Sequence, residues 1–241
     1  MKRDRSKDAP KSAAELMAEL NADPDYVARM RQRDRQEAEN VDSFRRAAEP
    51  ILRELAASGF NVQSLGELRY SGAEYPAVVP LLVRWLPKVE NAQLKQDLVR
   101  TLSVPWAAPE AVPALILEFQ RSDGQQREGL RWAIANALAA TVDDVVLDQL
   151  VALVTDRKYG KAREMLALAL GNCRDPRAVD VLIALLADDQ VVGHAVMALG
   201  KLKPKAARSH VQELLKHPKD WIRAEAKKTL AAIDGLPSSV H

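Results

Sequence analysis

Residues 175–202 read DPRAVDVLIALLADDQVVGHAVMALGKL, and this stretch decides the fold. From Val179 to Leu186, apolar residues recur at i, i+3, i+4 and i+7, which lines one side of an α-helix. The second half of the stretch ends on Leu199, with the apolar Ala195 one helical turn earlier. The stretch therefore predicts two short helices that form a hairpin.

The same pattern recurs five times between Val79 and Leu230. The first stretches of the five units begin at Val79, Val112, Leu147, Val179 and Ala207. The second stretches close on Leu102, Leu138, Leu170, Leu199 and Leu230. Successive closing leucines are 36, 32, 29 and 31 residues apart. A hairpin period of about 30 to 35 residues is typical of a solenoid, so we predict an all-α repeat fold.

The chain outside the repeats has its own helical signals. Ser12 and Glu15 have the spacing of a capping box, which predicts the start of a first helix. Asp23-Pro24 predicts the end of that helix and the start of another. An apolar face from Phe44 to Leu55, ended by Ser58-Gly59, predicts a helix that seals the open end of the array.

These signals divide the chain into four predicted segments. They are a charged arm over 1–42, disordered at its start and helical beyond, capping helices over 43–75, repeats over 76–234 and a flexible tail over 235–241. Residues 1–50, which include the arm, carry 11 acidic and 11 basic residues. A solvated arm and an arm that binds a partner or another copy of the chain both fit this composition.

The repeat units resemble HEAT repeats, in the bacterial form called phycobilisome-lyase-like. The resemblance rests on Asp175–Val179 with the following Ala198-Leu199-Gly200, on Ala169-Leu170-Gly171, and on Trp221–Ala226. It covers residues 76–234 and implies a right-handed α-solenoid of about five HEAT-type hairpins, with second helices on the concave side. The arm and cap are similar to those of uncharacterised actinobacterial HEAT-repeat proteins. HEAT arrays serve mostly as scaffolds and adaptors, so the resemblance says more about fold than about function.

Sequence motifs for catalysis or metal binding are missing. The four histidines show no i, i+4 pair, and Cys173 is the only cysteine. No nucleophile elbow or phosphate-binding loop is present either. We therefore predict a protein that is not an enzyme and binds no cofactor or metal. A single cysteine and no apolar membrane span predict a soluble cytoplasmic protein.

One position of the repeat is mostly basic. Seven residues before each closing leucine are Lys95, Arg131, Arg163, Val192 and Arg223. Stacked repeats would align these side chains in a ladder. The ladder is interpreted first as structural, because arginine here joins neighbouring units of similar repeats through acidic turns. The alternative is a strip that binds anions.

The second stretches also predict a binding surface. They carry a net charge of +8, whereas the first stretches are net negative. Positions two, five, six or nine before the closing leucine should face away from the core. Together with the ladder residue Arg131, the predicted partner-binding residues are Arg100, Arg131, Trp132, Lys161, Met165, Leu168, His194 and Met197. Trp221 shares this register, but we favour local packing for it.

Cations beside methionines and aromatics favour a protein-binding surface. We predict a scaffold or adaptor that recognises a partner protein, through an acidic segment, in the basic concave groove. The alternative is a nucleic-acid-binding protein, possibly a DNA glycosylase of HEAT-like architecture. Asp97 would be its candidate carboxylate, although the nearest tryptophan, Trp106, lies beyond Pro105.

Overall fold

A computed structural model describes residues 11–122, 128–141 and 144–235 of the chain. Within these ranges the protein is α-helical, with short 3₁₀ segments and no strand. The chain divides into two compact units, Met1–Ala47 and Ala48–His241. The predicted disorder of residues 1–10 and most of the predicted tail lie outside the described residues.

The first helix begins and ends, and the second begins, where the sequence predicts, but the second helix runs without a break through the predicted boundary between arm and capping helices at residues 42–43. Helix α1 is Ala13–Ala22, and helix α2 is Pro24–Ala57. The Ser12 hydroxyl accepts a hydrogen bond from the Glu15 N–H, and the Glu15 carboxylate accepts one from the Ser12 N–H. This capping box satisfies backbone donors that the first helical turn leaves free, which confirms the predicted start of α1.

Helix α2 ends before Gly59, whose φ of +90° is favourable for glycine. Its last part contributes the buried side chains of Ala48, Ile51 and Leu55 to the second unit. Helix α3, Leu65–Tyr70, starts behind the N-cap Ser64 and buries Leu65 and Leu68. Helix α3 packs against the second helix of the first unit, Ala92–Thr101, as the later second helices pack against one another, so it extends their row.

The repeat region alternates first and second helices. The first helices are α4 (Val79–Trp85), α6 (Ala108–Arg121), α8 (Leu147–Thr155), α10 (Arg177–Leu185) and α12 (Arg208–Glu213). The second helices are α5 (Ala92–Thr101), α7 (Glu128–Thr141), α9 (Ala162–Leu170), α11 (Val192–Leu202) and α13 (Asp220–Ile233). Each of α6, α8, α10 and α12 packs against the second helix that follows it.

The predicted apolar positions form the core. Leu82, Leu115, Leu150 and Leu182 are fully buried on the first helices, and Leu98, Ile134, Leu166 and Ala195 are fully buried on the second. In the fifth unit the same spacing, counted from Ala207, predicts that His210 is buried. This prediction is wrong, because His210 is exposed. Ala207 and Val211 are the buried residues of this first stretch, which packs mainly against α13 among the described helices.

Candidate protein-interaction face

The candidate site is the outward surface of helices α5, α7, α9, α11 and α13, which we call the second-helix face. These helices pack against one another in chain order, α5 on α7, α7 on α9, α9 on α11 and α11 on α13. Side chains that are distant in sequence but share a register therefore line up along one surface. The first helices pack in the same way where α4 meets α6 and α8 meets α10.

The basic ladder joins neighbouring units at two of its positions. The Arg163 side chain is 2% exposed and donates from Nε to the Val154 carbonyl at 2.6 Å and from Nη2 to Asp188 at 2.7 Å. Asp188 belongs to the next unit, in the turn between α10 and α11. The Lys95 ammonium likewise pairs with Glu118 of the next unit at 2.6 Å. The structural interpretation of the ladder is confirmed at both residues.

The other ladder residues differ in their surroundings. Arg131 is 9% exposed, and its guanidinium carbon lies 5.1 Å from the centre of the Tyr159 ring. Arg223, in the last unit, donates to the carbonyl of His217 at 2.7 Å within its own hairpin. Val192 is buried and apolar. At these positions the ladder residues pack against side chains or backbone of their own unit or of the next one. The predicted partner-binding role of Arg131 stays a prediction.

The positions that the register assigns to the outward face are accessible in the structure. Trp132, Met197, Trp221, Arg100 and Lys161 are exposed, and Met165, Leu168 and His194 are half-buried. The exposed fraction is 51% for Trp132, 49% for Trp221 and 39% for Met197. Exposed large apolar groups are informative when they share one surface, as these do. The prediction that this register faces away from the core is confirmed at these eight residues and is wrong at Ala133 and Gly193, which are buried.

Trp221 is both exposed and locally packed. A Cβ built on Gly193 of α11 would lie 1.8 Å from the Trp221 ring, so only glycine leaves room for the indole there. The Trp221 ring also packs edge-to-face on the His194 ring, with the two ring centres 6.1 Å apart. The local packing predicted for Trp221 is therefore confirmed, while about half of its surface still faces solvent.

The His194 side chain is half-buried, and one of its two ring nitrogens has no hydrogen-bond partner among the described residues. Its Nε2 lies 3.9 Å from a Glu164 carboxylate oxygen, and its Nδ1 has no hydrogen-bond partner among the described residues. Burial lowers the pKa of His194 below its ordinary value of 6.5, although the Glu164 charge acts in the opposite direction. The folded protein therefore favours the neutral imidazole.

We expect His194 to make the protein less stable in mild acid. The unfolded chain binds the proton near pH 6.5, before the folded chain does, so the free energy of unfolding falls as pH drops below that value. His194→Gln should lose less stability than the wild type between pH 7.5 and pH 5.5 in urea unfolding. His210→Gln, at an exposed histidine, is the matched control and should behave like the wild type. Equal losses in all three proteins would contradict the assignment.

A pocket opens between the start of α7 and the turn before α9. Its volume is about 260 Å³, and we call it the Tyr159 pocket. Its lining includes Arg131, Trp132, Lys158, Tyr159, Gly160 and Lys161. Three of the predicted binding residues, Arg131, Trp132 and Lys161, thus meet at one place. The others lie elsewhere along the face and are not part of this pocket.

Electrostatics make the Tyr159 pocket positive. The Lys158 ammonium lies 4.8 Å from the centre of the Tyr159 ring and 2.8 Å from Asp156. This pairing with Asp156 raises the pKa of Lys158, so the side chain stays charged. The Lys161 side chain is exposed and makes no hydrogen bond or ion pair with any described residue. Three cations therefore line the Tyr159 pocket, and two of them, Arg131 and Lys158, lie about 5 Å from the centre of the Tyr159 ring.

Sequence reasoning missed Lys158, Tyr159 and Gly160. Tyr159 is buried between the Arg131 and Lys158 cations and contacts Phe119 with a ring-centre distance of 4.9 Å. The available signal was the turn itself: residues 157–161 read RKYGK, a basic turn built around an aromatic residue. A search by helical register passes over such a turn because it lies outside both helices of the unit.

The described part of the chain has no cluster of side chains that could hold a metal ion. Among residues 11–122, 128–141 and 144–235, no three His, Cys, Asp or Glu side chains are grouped as metal ligands. Cys173 is buried. None of the helices in the same ranges has the length and apolar character needed to cross a membrane.

Comparison with known families matches one segment of the chain. Residues 162–188 match the family model described as PBS lyase HEAT-like repeat. The matched segment contains α9 and α10, the second helix of one unit and the first helix of the next. Searches of curated proteins and of solved structures found no significant match. The described part of the chain is all-helical, and one segment is similar to PBS lyase HEAT-like repeats. This similarity supports the interpretation of the chain as a HEAT-repeat protein.

Proposed function

We propose that this protein is a non-catalytic scaffold or adaptor that binds an acidic segment of a partner protein on the second-helix face. In this proposal the repeats form a right-handed solenoid of five hairpins, and the second-helix face is its concave wall. HEAT-like repeats commonly serve in protein interaction, and the match at residues 162–188 supports that class. One observation carries the proposal: large apolar groups are exposed on this face beside cations that lack carboxylate partners.

The apolar part of that observation concerns Trp132 and Met197. About half of the Trp132 side chain and two-fifths of Met197 face solvent. Tryptophan supplies much of the binding free energy where it becomes buried in an interface, and methionine adapts its shape to a partner. An aromatic group at the rim of a pocket is well placed to anchor a segment, because its burial on binding removes apolar area from water.

The charged part concerns Arg100 and Lys161. Both are exposed, and neither pairs with a described carboxylate. The stretches that contain the second helices carry a net charge of +8 in sequence, which favours an acidic partner. Surface cations of this kind raise the association rate of an acidic partner and help to fix its register.

Nucleic-acid binding is the second candidate, because exposed tryptophans beside cations also suit the stacking of bases. The glycosylase form of this candidate receives less support. Asp97 accepts a hydrogen bond from Arg69 Nη1 at 3.0 Å, and its side chain is 17% exposed. Trp106 packs edge-to-face on the buried Tyr75, with the two ring centres 5.7 Å apart. A carboxylate paired in this way is a structural group rather than an available catalytic one.

Capture from nuclease-treated lysate tests the proposal. We expect the wild type to retain a partner protein that Trp132→Ala/Lys161→Glu loses, with a loss of at least ~10-fold in affinity because an anchor and a charge are removed together. The matched control is Leu117→Ala/Lys205→Glu, which changes an equally exposed apolar residue and an exposed lysine on the first-helix side. This control should bind like the wild type.

Circular dichroism must show the same helix content in all three proteins. Capture of the same proteins by the wild type and by Trp132→Ala/Lys161→Glu would overturn the second-helix face as the binding site. Retention of nucleic acid alone, steeply weakened by salt, would replace the protein partner with the second candidate.

A further inference from the structure

The Tyr159 pocket suggests what kind of acidic segment is bound. We infer that it receives an aromatic side chain of the partner protein, with Asp or Glu residues on either side of that aromatic in the partner's sequence. This inference rests on the proposed function and adds the identity of the anchoring residue.

Size favours a side chain over a small molecule. The volume of about 260 Å³ lies below the range of roughly 300–1,000 Å³ that is typical of small-molecule sites. Two glycines, Gly129 and Gly160, line the pocket and take up little of its space. A Cβ added at Gly160 would meet no atom within 4 Å, so the pocket is open beside this turn. One ring can enter such a space.

The walls favour a ring that is aromatic. Arg131 and Lys158 lie about 5 Å from the Tyr159 ring centre, so the cations of the lining are already held next to a π-system. A second ring in the pocket would meet the same cations and the accessible indole of Trp132, through cation–π and edge-to-face contacts. An aliphatic side chain would gain only the apolar part of this contact.

Charge at the rim favours flanking carboxylates. Lys161 is exposed beside the pocket without an ion-pair partner in the described chain, and Asp156 is the one carboxylate paired with the Lys158 ammonium among the described residues. Carboxylates next to the inserted ring would reach these two lysines while the ring occupies the pocket. A basic segment would instead bring like charges against Lys158 and Lys161, and a neutral one would leave Lys161 unpaired. The geometry therefore selects an aromatic residue within an acidic segment.

Selection from a random peptide library tests this inference with the full chain. We expect display of random 12-residue peptides on the immobilised wild type to enrich sequences in which Phe, Tyr or Trp is flanked by Asp or Glu. A synthetic peptide of the enriched sequence should lose at least ~10-fold in affinity when its aromatic residue becomes Ala or its acids become Asn and Gln. The same loss is expected from Trp132→Ala and from Lys161→Glu, measured by fluorescence anisotropy.

Controls separate this inference from the proposed function. Leu117→Ala, with an exposed fraction of 52% on the first-helix side, should bind the peptide like the wild type. Acidic peptides without an aromatic preference, weakened by Lys161→Glu but not by Trp132→Ala, would overturn the pocket inference and leave the proposed function standing. Enrichment of basic peptides, or of no common sequence, would overturn both.

Discussion

We expect Arg163→Ala to lower the free energy of unfolding by about 3–5 kcal/mol, which is a large share of the stability of a typical domain. The Arg163 side chain is 2% exposed and is hydrogen-bonded at both ends of its guanidinium. Its removal leaves the Val154 carbonyl and the Asp188 carboxylate without a buried donor. A buried polar group without a hydrogen-bond partner carries the full free-energy cost of its lost hydration. This cost is larger than the net contribution of a hydrogen bond to stability. Urea unfolding followed by circular dichroism measures the change.

Arg157→Ala is the matched control, because Arg157 approaches the same Asp188 carboxylate at 3.7 Å but is 80% exposed. Water and salt screen an exposed pair, so this substitution should change stability by less than about 0.5 kcal/mol. Similar losses from Arg157→Ala and Arg163→Ala would show that burial of Arg163 is not the source of the effect. Arg163→Lys should lie between the wild type and Arg163→Ala, since lysine keeps the charge but not the planar set of donors.

Acid titration gives the Arg163 prediction a second readout. Burial raises the pKa of Asp188, but hydrogen bonds from Arg163 and the Gln190 N–H outweigh it, and the pKa lies below its ordinary value of 3.8. The stability that this group contributes is present above pH 3.8 and is lost as pH falls through the folded-state pKa. Arg163→Ala should therefore lose less stability than the wild type across this acid range.

The sequence was sufficient for the helices and for most of the core. The closing positions Leu170 and Leu199 are fully buried, because apolar spacing fixes which side of a helix faces its neighbours. It failed at His210, since spacing alone does not reveal how many neighbouring helices cover each side of α12. The sequence pattern changes at Phe44, close to the boundary between the two units at Ala47–Ala48, but no turn marks this boundary because α2 runs unbroken from Pro24 to Ala57.

The candidate site was only partly predictable. The helical register predicted that Trp132 and Lys161 face solvent. The side of a helix on which a residue lies follows from its spacing to the buried residues one and two turns away. The burial of Arg131 against Tyr159 was not predictable, since it depends on a turn that comes from the next unit. The burial of Glu118 was missed for the same reason. In the sequence of α6 it is one charged residue among apolar ones, but in the structure it is buried and paired with Lys95 of the preceding unit.

The buried Lys95–Glu118 pair gives the second large expected effect. Lys95→Met should lower the free energy of unfolding by about 3–5 kcal/mol. The Glu118 side chain is 5% exposed, and Lys95 Nζ lies 2.6 Å from its carboxylate oxygen. Methionine fills nearly the same length without a charge, so the variant tests the loss of the cation with little loss of volume. The Glu118 carboxylate is then left buried without its cation, which disfavours the folded state.

A second substitution separates the pair from the site that it occupies. We expect Lys95→Met/Glu118→Leu to regain stability to within about 1 kcal/mol of the wild type, because two apolar groups there carry no desolvation cost. Glu110→Ala, an exposed glutamate on the same helix α6, should change stability by less than about 0.5 kcal/mol. A double variant as unstable as Lys95→Met would show that the ion pair itself stabilises the contact between the units. Recovery would instead mean that burial at this junction provides the stability and that the charges set which side chains can meet there.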